Sequence, residues 1–308
     1  MDERGLADLI IARIPSLKSH EKVLLCRQCA KESDVVALSK HDVESLVGRA
    51  LPRLSWDMDT YRAQGEADAV ACRLRGIGYV SCVNPLYPPL LREIWDPPSV
   101  LFYRGRLPNP EKPILAMVGT RNPSPPAMQE AYNIARAVAS DGIPVVSGLA
   151  RGIDTMSHRG NLDGGAPTIA VMGTGLDIIY PAGNRQLARR IYEQGGVLLG
   201  EYPPGTEPQK WHFPARNRII SALSRGTLIV EAPITSGALI TARCALEHGR
   251  DLWVASSGTA GGVYAVMREG TRKLAEEGAP VISTARQICA EWGISLKKET
   301  VKQKVEVV

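Results

Sequence analysis

From Ile114 onward, short apolar runs alternate with helix-length segments. The runs are I-L-A-M-V, I-P-V-V-S, T-I-A-V-M, G-V-L-L-G, T-L-I-V-E, D-L-W-V-A and A-P-V-I. Between them, residues Pro125–Ser140, Asn184–Gln194, Ala215–Ser224 and Ser236–His248 have the length and spacing of helices. Strands that are apolar on both faces and alternate with helices predict a parallel sheet covered on both sides. About seven such strands make this a Rossmann-like doubly wound α/β domain, expected over residues 114–291. Pro144 sits near a strand start, where a missing donor is tolerated.

Residues 1–75 have a different pattern. L-A-D-L-I-I-A-R-I, E-K-V-L-L-C-R-Q-C-A and D-V-E-S-L-V-G-R-A read as short helices, and Asp57–Arg75 as a longer amphipathic one. Such bundles serve as packing or interaction units, and some bind nucleic acid through helix N-termini. Residues 76–113 carry eight prolines, from Pro85 to Pro113, and predict an extended connector laid against the next domain, with V-L-F-Y-R-G as one short strand. A tail follows over 292–308.

Ligands of doubly wound sheets bind at the carboxyl ends of the strands. The residues there are small, hydroxylated or basic. Gly119, Thr120 and Arg121 follow the first strand, Gly148 and Arg151 the second, and Gly173-Thr174-Gly175 the third. The fourth leads to K-W-H-F-P-A-R-N-R, in which Lys210, Arg216 and Arg218 surround Trp211 and Phe213. After the fifth, Thr235, Ser236 and Gly237 open a helix, whose free N–H groups favour an anion. Cations interleaved with flat rings suit a ligand that carries both phosphates and bases. A solvated basic face with one ring tucked under it is the plainer account of the same loop. Phe213, one of only two phenylalanines, is read as packing on a base, with a core anchor as its alternative.

Composition permits this reading without requiring it. The 308 residues are 44% hydrophobic and 22% charged, with a net charge of +5, so a basic patch must be local. No apolar run approaches membrane-spanning length and M-D-E-R-G lacks a signal peptide's apolar core, so a cytoplasmic protein with reduced thiols is expected. Cys26-x-x-Cys29 has no second short-spaced pair; a zinc site completed by Cys72 and Cys82 is weaker than a role as small apolar residues.

The usual catalytic signatures fail. Gly173-Thr174-Gly175 begins a dinucleotide pattern, but Ile178 occupies the third glycine position, and there is no Walker A sequence. No histidine sits in a metalloprotease or nucleophile-elbow context; His158, four residues after Asp154, reads as packing. Asp154, Asp177, Glu201 and Glu231 are expected to bind loop N–H groups or to hold arginines such as Arg216 and Arg218. No catalytic residue, metal or cofactor is therefore assigned.

Taken together, V-G-T-R-N-P-S, S-G-L-A-R-G-I-D-T-M-S-H, G-T-G-L-D-I-I-Y-P-A-G-N, F-P-A-R-N-R-I-I and S-G-A-L-I-T-A closely resemble, in order, the motifs of the DNA-processing protein A (DprA, or Smf) family. The Pro-rich stretch from Gly76 looks like that family's lead-in, and a sterile-alpha-motif-type helical domain fits what precedes it. The resemblance implies a protein without catalytic activity that binds single-stranded DNA, helps load RecA during natural transformation, and dimerises through the Rossmann-like domain. It carries phosphate contact onto Arg121, beside Gly119 and Thr120, and onto Lys210, base packing onto Phe213, and the basic position of S-G-L-A-x-G-I-D onto Arg151.

Two departures stand out. S-S-G-T-A-G follows the sixth strand where V-P-G is expected, and the C-terminal winged-helix domain of many members is not expected in the short tail. The alternative is a small-nucleotide sensor or a phosphoribohydrolase-like enzyme on the same fold. Against hydrolysis, E-A-P-I-T-S-G-A-L-I-T stands where those enzymes carry P-G-G-x-G-T-x-x-E.

Overall fold

The computed structural model describes residues 3–294. Five helices come first: α1 (Glu3–Arg13), α2 (Ser19–Gln28), α3 (Glu32–Val36), α4 (Lys40–Val47) and α5 (Met58–Arg75). Strand β1 (Gly78–Ser81), helix α6 (Pro89–Arg92) and strand β2 (Val100–Gly105) occupy the Pro-rich segment. The alternating region then gives β3 (Leu115–Val118), α7 (Pro125–Ser140), β4 (Val145–Ser147), α8 (Ile153–Asp163), β5 (Ile169–Met172), α9 (Arg185–Glu193) and β6 (Val197–Gly200). It continues with α10 (His212–Ala222), β7 (Gly226–Ile229), α11 (Ala238–Glu247), β8 (Asp251–Ala255), α12 (Glu269–Glu276), β9 (Val281–Ile282) and α13 (Ala285–Glu291).

All nine strands form one sheet in the order β1-β2-β6-β5-β4-β3-β7-β8-β9. The seven apolar runs of the sequence are its seven parallel strands, β3 to β9. The chain winds outward from β3 to β6 on one side, then crosses to β7, β8 and β9 on the other, as a doubly wound sheet does. Alternate residues feed opposite faces. Leu115 and Met117 pack with Ala131 and Ile134 of α7, whereas Ala116 and Val118 pack with Ile219 of α10 and Ala242 of α11.

The expected connector is different in kind. β1 and β2 pair with each other, and β2 pairs with β6, all antiparallel, so residues 78–105 extend the sheet instead of strapping it. Nor is the helical region separate from the core. Leu9, Ile10 and Ile11 of α1 are fully buried, and α1 shares its apolar clusters with Val80, Phe102 and Leu199 of the sheet. Of the expected tail, residues 295–308 lie outside the described residues.

Helix α8 shows why its sequence carried little helical signal. Its residues Ser157, Gly160 and Asn161 are poor helix formers, but they are small enough for α7 to lie against it. A Cβ at Gly160 would sit 2.3 Å from the Tyr132 carbonyl oxygen. Buried Asn161 donates to the Ala135 and Ile143 carbonyls and accepts from the Val145 N–H, locking α7, α8 and β4 together. Gly→Ala inside a helix ordinarily stabilises by about 1 kcal/mol. Gly160→Ala is expected to do the opposite, losing about 1–3 kcal/mol through overpacking. Thermal unfolding checks this: a melting temperature equal to or above that of the parent contradicts the packing account.

Candidate nucleic-acid interface

The edge formed by the carboxyl ends of β3 to β7 is organised around a buried cation. Arg216, on the second turn of α10, is only 5% exposed. Its guanidinium donates to the carbonyl of Gly148, after β4, at 2.8 Å and to that of Val171, in β5. A Cβ at Gly148 would lie 2.4 Å from that guanidinium, so only glycine leaves room for it. Asp154 supplies the opposing charge beside it and accepts the Gly148 and Ala150 N–H groups at 3.2 Å each. Burial pulls the Arg216 pKa down to about 10, against the pull of Asp154, so it remains a cation at neutral pH. Burial pushes the Asp154 carboxyl up, with Arg216 opposing.

Arg218 is similarly engaged. It forms a fork with Glu201 at 2.9 and 2.6 Å and reaches the Asp96 carbonyl at 3.0 Å. Burial works against its charge, but Glu201 and Asp96 more than offset this and raise its pKa. Arg216 and Arg218, placed on DNA by sequence, are thus interior ties between elements, because their guanidinium groups are turned onto carbonyls and carboxylates and away from solvent. The other loop carboxylates also hold neighbours. Asp177 accepts from the Gly205 N–H and pairs with Arg75 at 2.9 Å. Glu231, fully buried, accepts from Ser124 and pairs with Arg268 at 2.9 Å.

What remains on the surface of this edge is aromatic and basic. Phe213 lies half-buried on Gly173, where a Cβ would come within 3.1 Å of the ring. Tyr180 is its neighbour at 5.2 Å between centroids, and the Arg121 guanidinium lies 6.0 Å from the Phe213 centroid. Arg121, Tyr180 and Phe213 come from the ends of β3, β5 and the start of α10, so the sheet order is what assembles them. A second group adjoins it: Tyr202 stacks on His212 at 3.9 Å, and exposed Trp211 stands edge-on to both. Lys210 is exposed one residue before Trp211.

Backbone geometry brings Arg151 to the same place. Gly152, at φ 75°, sits so close to the Thr120 carbonyl that a Cβ would be 2.4 Å away. Exposed Arg151 and Arg121 therefore flank one backbone contact. Gly119 and Thr120 shape this turn: the Thr120 N–H donates to the Glu231 carbonyl at 2.7 Å, and a Cβ at Gly119 would meet Ile153 at 2.6 Å. Leu149 holds a left-handed φ of 58°, and its carbonyl accepts from the Asn184 amide at 2.8 Å. That clamp sets exposed Arg185, at the start of α9, near Arg151. Thr235, Ser236 and Gly237 lie at the end of β7 on the same edge. They join α10 through the Asn217 amide on the Gly237 carbonyl at 3.1 Å, not through the ring cluster. Sequence gave Tyr180, Tyr202 and Arg185 no role; their positions after β5, after β6 and at a helix start were the available signal.

Among the described residues, no group of three or more His, Cys, Asp or Glu side chains is placed to hold a metal ion. Cys26, Cys29, Cys72 and Cys82 are buried free thiols within apolar clusters. No helix among the described residues is long and apolar enough to cross a membrane. After β8, Ser256 and Ser257 are held by Glu130, at 2.6 and 2.8 Å, in the place where V-P-G is expected.

The profile of a family described as DNA recombination-mediator protein A matches residues 78–293. Protein Smf of Synechocystis is 44% identical over 227 residues, covering 72% of this chain and 56% of that protein. The chain thus spans little more than half the length of that relative. DNA processing protein DprA of Streptococcus pneumoniae is 40% identical over 212 residues, 69% of this chain and 73% of the relative. The X-ray structure of the Streptococcus pneumoniae protein superposes with a TM-score of 0.73 at 32% identity over 94% of each chain. The structure of Helicobacter pylori DNA processing protein A, described for its single-stranded DNA binding mode, gives 0.59 at 30% identity over 70% of this chain and 95% of the other.

His158 lies under this edge, fully buried, with Nδ1 2.8 Å from the Thr168 hydroxyl. Because Thr168 donates its own proton to the Val145 carbonyl, the imidazole donates to Thr168 through Nδ1. Burial, and then Arg216, lower its pKa from 6.5 to about 3. The unfolded chain takes up this proton near pH 6.5 and the folded chain does not, so stability is full above that pH and falls as the pH drops. Between pH 6.5 and 5 this one group is expected to contribute up to about 1.4 kcal/mol per pH unit. Urea unfolding of the parent and of His158→Gln checks this, since the variant loses that part of the slope; identical slopes contradict it.

Proposed function

This chain belongs to the DNA recombination-mediator protein A family, and we propose that it binds single-stranded DNA along the edge that carries Phe213, Tyr180, Arg121, Arg151 and Lys210. The observation that carries the proposal is the convergence of Arg121 and Tyr180 on the ring of Phe213, which itself lies on the bare backbone of Gly173. Rings provide faces for bases of any identity, and exposed guanidinium and ammonium groups provide charge for phosphates. Gly119 and Thr120 shape the turn that presents Arg121, while Arg216 and Arg218 hold the loop in place from beneath. Thr235, Ser236 and Gly237 offer the start of α11 to a phosphate further along the same edge.

The physiological act we infer is that of a recombination mediator. The protein protects an incoming strand and presents it, extended, to RecA in the cytoplasm during natural transformation. It works as a dimer through the Rossmann-like domain. No bond of DNA is made or broken in this account, and the loop carboxylates are engaged with N–H groups and arginines.

The test is fluorescence anisotropy with a labelled single strand and its duplex at several salt concentrations. Parent protein is expected to prefer the single strand, and Arg121→Glu to lose it. Phe213→Ala is expected to weaken binding by about 1–3 kcal/mol while leaving the salt dependence unchanged. Lys210→Ala is expected to reduce the slope by about 0.7. Equal slope changes in the last two variants contradict the division of labour. Absence of single-strand binding at low salt turns the reading toward a small nucleotide.

A further inference from the structure

The Arg121 turn has a neighbour on each side. Phe213 and Gly173 lie at the end of β5, two strands from β3 in one direction, and β8 lies two strands away in the other. At the β8 side an open cavity of about 510 Å³ lies between the first turns of α7, the segment after β8 and Ser283 after β9. Its size is that of a small-ligand pocket.

The chemistry of its wall is specific. Ser256 and Ser257 stand where V-P-G is expected, and so bring hydroxyl groups to this place. Glu130 accepts from the Ser256 hydroxyl at 2.6 Å and from the Ser257 N–H at 2.8 Å. The Ser257 hydroxyl is left over: it lines the cavity, buried, with no hydrogen-bond partner among the described residues. Such a group is better satisfied when a polar ligand arrives. Gln129 and Asn133, one turn apart on α7, are joined through their amides at 2.8 Å. In either orientation of the pair, that bond leaves one amide carbonyl and one amide N–H group on offer. A donor and an acceptor within one helix turn match the edge of a nucleobase, and Pro126 and Ala260 add apolar surface for its faces. Phosphate is disfavoured here. No lysine or arginine lines the cavity, Glu130 is a carboxylate, and prolines at the first two positions of α7 remove N–H groups that would hold an anion.

We propose that this cavity is a nucleobase site, which takes a base of the strand where its backbone passes the Arg121 turn. The inference rests on the single-strand reading above. Buried Arg268 joins the two places: it donates to the hydroxyl of Ser124, three residues after Arg121, at 3.2 Å and to the carbonyl of Ala260 at 3.0 Å. Two strand spacings are about 10 Å, so phosphates held at Arg121 leave bases within reach of Phe213 on one side and of the cavity on the other. Gln129, Asn133 and Ser257 contact the base. Because the two amides can turn over together, the site accepts bases of either hydrogen-bonding pattern.

The experiment titrates three probes: an oligothymidylate, a strand of the same length made only of abasic deoxyribose phosphates, and thymidine monophosphate. It uses the full chain, Ser257→Ala and Gln129→Ala/Asn133→Ala, at several salt concentrations. The double variant is expected to bind the oligothymidylate about 3- to 10-fold more weakly with the salt slope of the parent, and the abasic strand as the parent does. Ser257→Ala, which gives up no internal hydrogen bond, is expected to show part of the same loss. Unchanged binding of the oligothymidylate overturns the proposal and leaves the ring site intact. An equal loss on the abasic strand also overturns it, because the residues would then act through the backbone or the fold. Thymidine monophosphate that binds the parent but not the double variant assigns the cavity to a free nucleotide, and overturns the strand as its occupant. Failure of the parent to bind either strand instead removes the reading on which the inference rests.

Discussion

The interface depends on one buried guanidinium. Arg216 fastens the start of α10 to the carbonyl of Gly148 after β4 and to that of Val171 in β5. A cation withdrawn from water costs several kcal/mol unless it is matched, and Asp154 with two carbonyl oxygens provides the match. Once Arg216 is in place, Phe213 and His212, on the turn before it, are fixed against Gly173, and Gly148 must lack a side chain. Arg218 adds a second tie to Glu201 and to the loop at Asp96. The motif F-P-A-R-N-R is therefore read most simply as one ring for the ligand and two arginines for the frame.

This division separates the energetic terms. The frame is made of desolvated charge pairs and carbonyl contacts, which salt affects little. The surface groups, Arg121, Arg151 and Lys210, are exposed, and their attraction for phosphate is screened by salt. In the proposed interface, stacking of bases on Phe213 and Tyr180 would depend little on sequence or salt. The proposed interface would therefore tolerate any base order.

Much of this was legible in the sequence, and the failures have physical causes. The seven continuous apolar runs identified all seven parallel strands, because burial on both faces leaves no other pattern. β1 was lost in the Pro-rich segment, since an edge pair of antiparallel strands needs few residues and tolerates nearby prolines. α8 was marked only by the spacing of Asp154 and His158, because the small residues that let it pack on α7 weaken its apolar pattern. At the site, Arg121, Arg151, Lys210 and Phe213 were identified as candidates, and the structure places them on one edge. Arg216 and Arg218 were misplaced because burial of a long basic side chain is decided by its tertiary partners, Gly148, Val171, Glu201 and Asp96, which are far away in the chain.

The most direct test of the central claim is photo-cross-linking of a 5-iodouracil-substituted single strand to the unmodified protein, with the attached residues mapped by mass spectrometry. The account predicts adducts on Phe213, Tyr180 or Trp211, the rings seated over the Arg216 tie. Adducts confined to surfaces away from the carboxyl ends of β3 to β6 would contradict it.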